Sequence, residues 1–155
     1  MSKSIAYDSS FAFYAQLWEF YTHNRGKIRS RFNDLTKKFL DYNDRTENPN
    51  AFLRTPQFEA LEMYVFIKEF TDNAQVYELF QEWRNKTGHF DGKSYYATDM
   101  KGQLNLFRTV SEPMLDVVFS QMKKYQEAYP NYIYALTMGL GKTILMATCI
   151  LYEFL

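Results

Sequence analysis

From Asn131 to Leu155 the chain reads NYIYALTMGLGKTILMATCILYEFL, and three unlike segments follow one another within it. Tyr132 to Thr137 is a short aromatic and β-branched run suited to a buried strand. Gly139 and Gly141 permit a tight backbone turn, and Thr143 to Leu155 is apolar with no helix breaker. A strand, a glycine loop and a helix in that order form a phosphate cradle. Glycines let successive backbone N–H groups converge on phosphate oxygens, and a helix start adds unpaired donors with about half a positive charge.

Lys142 and Thr143 carry the rest of that chemistry. The lysine is placed to neutralise β- and γ-phosphates, and the threonine hydroxyl to ligate magnesium. Within LTMGLGKT, Leu136 stands where phosphate-binding loops usually have Gly or Ala. A Gly-Lys-Thr triplet also arises where a glycine turn merely joins two buried elements. The strand pattern before it and the helix pattern after it favour phosphate binding.

The same stretch raises the question of a membrane span. A span takes roughly 20 apolar residues, and a charge at its centre costs about 2.5–3.5 kcal/mol. Lys142 lies in the middle, and the glycines divide the stretch into two short runs. A buried strand and a buried helix fit better, so no membrane association is expected.

Upstream, the pattern is helical. Asp8, Ser9 and Ser10, any of which could cap a helix, precede Phe11, Tyr14, Trp18 and Tyr21 at spacings of three and four. After a polar interruption at Thr22 to Lys27, the period resumes with Ile28, Phe32, Leu35 and Phe39. Two helices, or one bent helix, are expected there, their aromatic stripe serving as core rather than as a base-stacking platform. Asn43 to Arg54 is rich in turn formers and reads as a connection. Thr55 before Pro56 matches an N-cap with proline at the first helical position. Apolar side chains then cover nearly every face from Phe58 to Phe70, the mark of a central helix. Thr71 to Asn73 offer the cap of a further helix carrying Val76, Leu79, Phe80 and Trp83. Thr87 to Gln103 loses all periodicity, and Ser111 with Pro113 announces a last upstream helix that Pro130 closes.

Composition narrows the function classes. In 155 residues, 46% are hydrophobic and 19% aromatic, too much apolar surface for a disordered tail. Eighteen basic residues balance 18 acidic ones, so whole-molecule attraction to a polyanion is not expected. Arg25, Lys27, Arg29 and Arg31 form a small basic cluster that reads as a solvated helix face. The single cysteine, Cys149, rules out an internal disulfide and suits a reducing compartment, and His23 and His89 stand far apart without ligand-spaced neighbours. The N-terminus lacks the apolar run of a signal peptide, so a cytoplasmic location is expected.

ALTMGLGKTILMA resembles motif I of superfamily 2 helicases and translocases, especially the DEAD/DEAH-box proteins grouped with the Res subunit of type III restriction enzymes. A second segment, LRTPQFEAL from Leu53 to Leu61, is similar to the stretch upstream of motif I in which a glutamine reads adenine. An amide can donate to and accept from the adenine edge, which suits Gln57 to that task. The resemblance implies ATP and Mg2+ as ligands, held by Gln57, Thr137, Met138, Gly139, Leu140, Gly141, Lys142 and Thr143, with Thr143 as the metal ligand. It implies a mostly α chain: a helical N-terminal region over 1–48, a helical segment with the glutamine motif and an insertion over 49–130, and, from 131 to 155, the first β-P-loop-α unit of an incomplete RecA-like α/β domain. It implies DNA as a partner of a larger protein, together with a possible modification subunit.

The Asp-Glu box that activates water in this family lies well downstream of motif I, and the sequence ends twelve residues after Thr143. The arginine finger is likewise missing. Positioning water and stabilising the transferring phosphoryl group need both, so the expectation is ATP binding without hydrolysis or translocation by this chain alone. The alternative is a non-catalytic helical interaction module in which the glycine loop is a relic.

Overall fold

The computed structural model describes residues 9–95, 112–130, 139 and 141–155. The chain is mostly helical, and among the described residues there is no strand. The strand expected over Tyr132 to Thr137 lies outside the described residues, so nothing described supports a β-P-loop-α unit. The helices are α1 (Ser9–Arg29), α2 (Asp34–Asn43), α3 (Thr55–Val65), α4 (Val76–Asn85), α5 (Glu112–Lys124) and α6 (Lys142–Tyr152). A π-helical turn, Phe66–Phe70, continues α3, and a 3-10 turn spans Gly88–Phe90. No helix among the described residues is long and apolar enough to cross a membrane.

The chain divides into two compact units, Met1–Arg25 with Ala74–Asn131, and Gly26–Asn73 with Tyr132–Leu155. In the first, the inward face of α1 meets α4 through aromatic rings. Phe13 lies edge-on to Phe80 at 5.2 Å between centroids, and Phe20 meets Phe90 at 4.8 Å. Phe80 stacks on Phe119 of α5 at 5.9 Å, and Arg84 pairs with Asp116 at 2.6 Å. The core face of α1 is thus carried by Phe13, Leu17 and Phe20, not by the expected stripe: Tyr21 is buried, but Trp18 is half-buried and Tyr14 is 44% exposed. Each ring pair adds about 0.5–1.5 kcal/mol beyond its buried area.

In the second unit α3 is the central element. Gln57, Phe58, Leu61, Met63 and Val65 are buried around its circumference, and Phe66 and Ile67 continue the buried run. Glu62 is buried too, with Arg29 reaching it at 3.7 Å while also pairing with Asp41 at 2.8 Å. This engages one member of the basic cluster inside the fold. Leu145 and Tyr152 of α6 complete the apolar side, and the Tyr152 hydroxyl donates to Glu69 at 2.9 Å. Glu69 also accepts from Thr36 Oγ1.

The helix boundaries differ from expectation in three places, each for a local reason. The break expected at Thr22 to Lys27 is absent, because buried Asn24 satisfies its own amide by donating to the Phe20 carbonyl at 2.9 Å. Nothing crowds Gly26, so α1 runs through it at a helix-propensity cost of about 1 kcal/mol. The break comes at Asn33, whose Oδ1 accepts from Thr36 N at 2.8 Å and caps α2. Thr55 is the first helical residue of α3 rather than its cap, which is Arg54. Finally, Thr71 to Asn73 end the central helix instead of starting the next. Thr71 Oγ1 donates back to Ile67, and Asp72 and Asn73 take left-handed backbone angles near φ +55°. The cap of α4 is Gln75.

Candidate functional site

Gln57 is the third residue of α3, where a side chain can fold back on the helix start. Its Oε1 accepts from the Arg54 backbone N–H at 2.8 Å, satisfying a donor that the first turn leaves open. This locks the amide plane and aims Nε2 away from the helix. Nε2 donates to the Gly141 carbonyl at 2.9 Å. Gly141 caps α6, and the same carbonyl accepts from the Ile144 and Leu145 N–H groups at 3.1 and 3.3 Å. Beside it, Arg54 Nη1 donates to the Gly139 carbonyl at 3.4 Å. The segment similar to the adenine-reading motif and the glycine loop therefore meet directly.

The glycines are required at this junction. Gly139 and Gly141 have φ of +81° and +68°, the region that disfavours side chains. A Cβ on Gly141 would stand 2.8 Å from Gln57 Nε2, whereas one on Gly139 would meet nothing within 4 Å. Close approach of an amide to the helix cap thus adds a second demand at Gly141 only.

A cleft of about 430 Å3 opens beside this junction, with Arg45, Asn50, Phe52, Arg54 and Gln57 along it and Gly139 and Gly141 at its edge. Two guanidinium groups and the start of α6 give it a positive character suited to an anion. Gln57 is only 3% exposed, and each end of its amide already has one partner. These two bonds use one N–H and one lone pair of the amide and leave one of each.

Lys142 and Thr143 are the first two residues of α6, and both are exposed. Lys142 does not line the arginine cleft. It borders a separate groove of about 330 Å3 with Tyr64, Leu145, Met146, Cys149 and Ile150. At the far end of that groove, Glu153 accepts from Tyr64 OH and pairs with Lys68 at 3.1 Å. Burial works to raise the Glu153 carboxyl, but these two partners outweigh it and hold it below the usual value. Burial, helped by Glu153, pushes the Cys149 thiol up to about 11, which makes it unreactive at neutral pH.

Of the expected ligand-binding residues, the structure joins Gln57, Gly139 and Gly141, and sets Lys142 and Thr143 at the adjoining helix start. Thr137, Met138 and Leu140 lie outside the described residues. Arg45, Asn50 and Arg54 were not among the expected binding residues. Arg54 had a readable signal in the LRTPQ segment, whereas Arg45 and Asn50 sit in a turn-rich connection whose path no local pattern reveals. Among the described residues, no group of three or more His, Cys, Asp or Glu side chains is placed to hold a metal ion. His89 Nδ1 instead contacts Glu82 at 3.0 Å, and His23 Nδ1 contacts the Glu19 carbonyl at 2.9 Å. The chain matches no family of known proteins, no curated protein and no solved structure.

Proposed function

We propose that this chain binds ATP with magnesium through the glycine loop, as the N-terminal part of a DNA helicase or translocase similar to the Res subunit of type III restriction enzymes. The observation that supports this reading is the bond from Gln57 to the Gly141 carbonyl. It joins two segments that both resemble the nucleotide-binding motifs of one family, although 84 residues separate them. The cleft fits the ligand chemically. Arg45 and Arg54 face the space beside Gly139 and Gly141, where a triphosphate would find two guanidinium groups and a helix start. Lys142 and the Thr143 hydroxyl follow in the first turn of α6, the latter as the magnesium ligand; the ion supplies charge neutralisation at the phosphates.

On this reading the segment from residue 131 onward begins a RecA-like domain, and the chain acts in the cytoplasm. DNA and a modification subunit engage the larger protein, and hydrolysis requires an Asp-Glu box and an arginine finger supplied elsewhere. Isothermal titration of ATP and magnesium tests the reading: wild type should give a saturable heat that Lys142→Ala removes. No heat from wild type at millimolar ATP rejects it.

A second reading has one observation in its favour. Lys142 borders an apolar groove instead of the arginine cleft, as expected if the loop is a plain turn in a non-catalytic helical interaction module. Heat from ATP that is indifferent to Lys142→Ala would favour this alternative.

A further inference from the structure

The connection between α2 and α3 is a built turn. Asp44 is buried, and its Oδ1 accepts from the Thr46 N–H at 2.9 Å and from the Thr46 hydroxyl at 2.7 Å. Asn48 Nδ2 donates to the Tyr42 carbonyl at 2.8 Å, while its Oδ1 accepts from the Asn50 N–H at 3.1 Å. The Asn48 carbonyl accepts from the Ala51 N–H at 2.9 Å. Asp and Asn side chains that bond the backbone two residues on fix a turn in one shape. Ala51 is then 5% exposed and Leu53 1%, so the chain on both sides of Phe52 is tied to the core. Phe52 itself is 71% exposed, and it lines the cleft that holds Arg45 and Arg54.

One exposed phenylalanine on a surface is ordinary. This one shares a cleft with two guanidinium groups, and its backbone is already ordered, so a flat ring laid on it costs little further entropy. Guanidinium groups take the charged end of a ligand and the phenyl ring takes a flat end. A nucleoside triphosphate has both.

Gln57, to which the family resemblance assigns the reading of adenine, is occupied otherwise. Its amide is bonded to the Arg54 N–H and to the Gly141 carbonyl, and the residue is only 3% exposed. To present both of its groups to an adenine edge, it must leave the helix start and the loop that it joins. Stacking on Phe52 needs no such release, and every base has a π-face to offer.

We infer that Phe52 holds the nucleobase by stacking, and that the cleft therefore takes nucleoside triphosphates with little regard to the base. The inference rests on the reading of this cleft as a triphosphate site, to which it adds the residue that grips the nucleoside and the loss of adenine selectivity.

Isothermal titration of the full chain with ATP, GTP and inorganic tripolyphosphate, each with magnesium, tests it. ATP and GTP should bind within about threefold of each other. Phe52→Ala should weaken both nucleotides by about tenfold or more and leave tripolyphosphate unchanged, whereas Phe52→Trp should retain all three. Because Phe52 is largely exposed, the thermal midpoints of both variants without ligand should equal that of wild type. A preference for ATP over GTP above about tenfold overturns the inference, since hydrogen bonds then read the base. Nucleotide binding that survives Phe52→Ala also overturns it, as does a loss of tripolyphosphate binding in that variant; in both cases the triphosphate reading stands. No binding of either nucleotide or of tripolyphosphate to wild type overturns both.

Discussion

The Gln57 side-chain amide donates to the Gly141 carbonyl at 2.9 Å, across 84 residues of intervening sequence. Its other end accepts from the Arg54 N–H at 2.8 Å, so one side chain caps the start of α3 and grips the start of α6. The consequence is mutual. Loop geometry depends on Gln57, and the position of Gln57 depends on the absence of a side chain at residue 141.

Gly141→Ala and Gly139→Ala should therefore separate. Both force an L side chain into the left-handed region, at about 1–2 kcal/mol each. Only the former also collides with Gln57 Nε2, and so loses a hydrogen bond worth about 1 kcal/mol as well. Urea midpoints should rank wild type, Gly139→Ala, then Gly141→Ala. In a Gln57→Ala background the extra cost at Gly141 should vanish, a non-additivity expected for residues in contact. Equal losses in both backgrounds would show that the contact carries no energy.

The helices were legible in sequence because their apolar periods reflect local packing. Phe58 to Phe70 announces burial on all sides, whereas the stripe read from Phe11 to Tyr21 picks the wrong face of α1, because aromatic residues stand on both sides of the helix and Phe13, Leu17 and Phe20 are the ones buried while Tyr14 is exposed. Boundaries were harder to read, since the deciding bonds are made by single side chains. Asn24 carries α1 past the polar stretch, and Asn33 rather than Gly26 marks the break. Thr71 to Asn73 look like a start signal, yet their left-handed backbone makes them a stop. The pairing of Gln57 with Gly141 has no local signature at all: a glutamine in a first helical turn reads as a ligand-binding or solvated side chain, not as the partner of a glycine 84 residues away. Nor does a Gly-Lys-Thr triplet disclose that Lys142 borders the groove next to Tyr64.

Tyr152 gives an alkaline limb. Burial, followed by its hydrogen bond to Glu69, raises the phenol well above its ordinary value of 10.0. The folded state keeps this proton more tightly than the unfolded state does. The contribution is complete below pH 10.0 and drains away as pH rises above it. Tyr152→Phe should lower the neutral-pH midpoint, by about 1 kcal/mol for the lost hydrogen bond, and flatten the decline between about pH 9 and 11. A decline of unchanged slope in Tyr152→Phe would assign it to another tyrosine.

Glu153 governs part of the acid limb. Its folded value lies below 4.5 because Tyr64 and Lys68 outweigh the effect of burial, so its contribution is present above pH 4.5 and is lost as pH falls through the lower folded value. Glu153→Gln should narrow the stability difference between pH 7 and pH 3. An unaltered acid limb in this variant would mean that the Tyr64 and Lys68 contacts leave the folded carboxyl no more acidic than the unfolded one.

Nucleotide binding at the loop is read by the thermal midpoint with and without millimolar ATP and magnesium. A ligand at about 100 times its dissociation constant stabilises the folded state by about 2.7 kcal/mol, which shifts a chain of this size by several degrees. Wild type should show that shift, Arg54→Ala a smaller one, and Lys142→Ala none. If wild type and Lys142→Ala keep the same midpoint whether or not ATP is present, the glycine loop is a plain turn and the chain does not bind ATP through it.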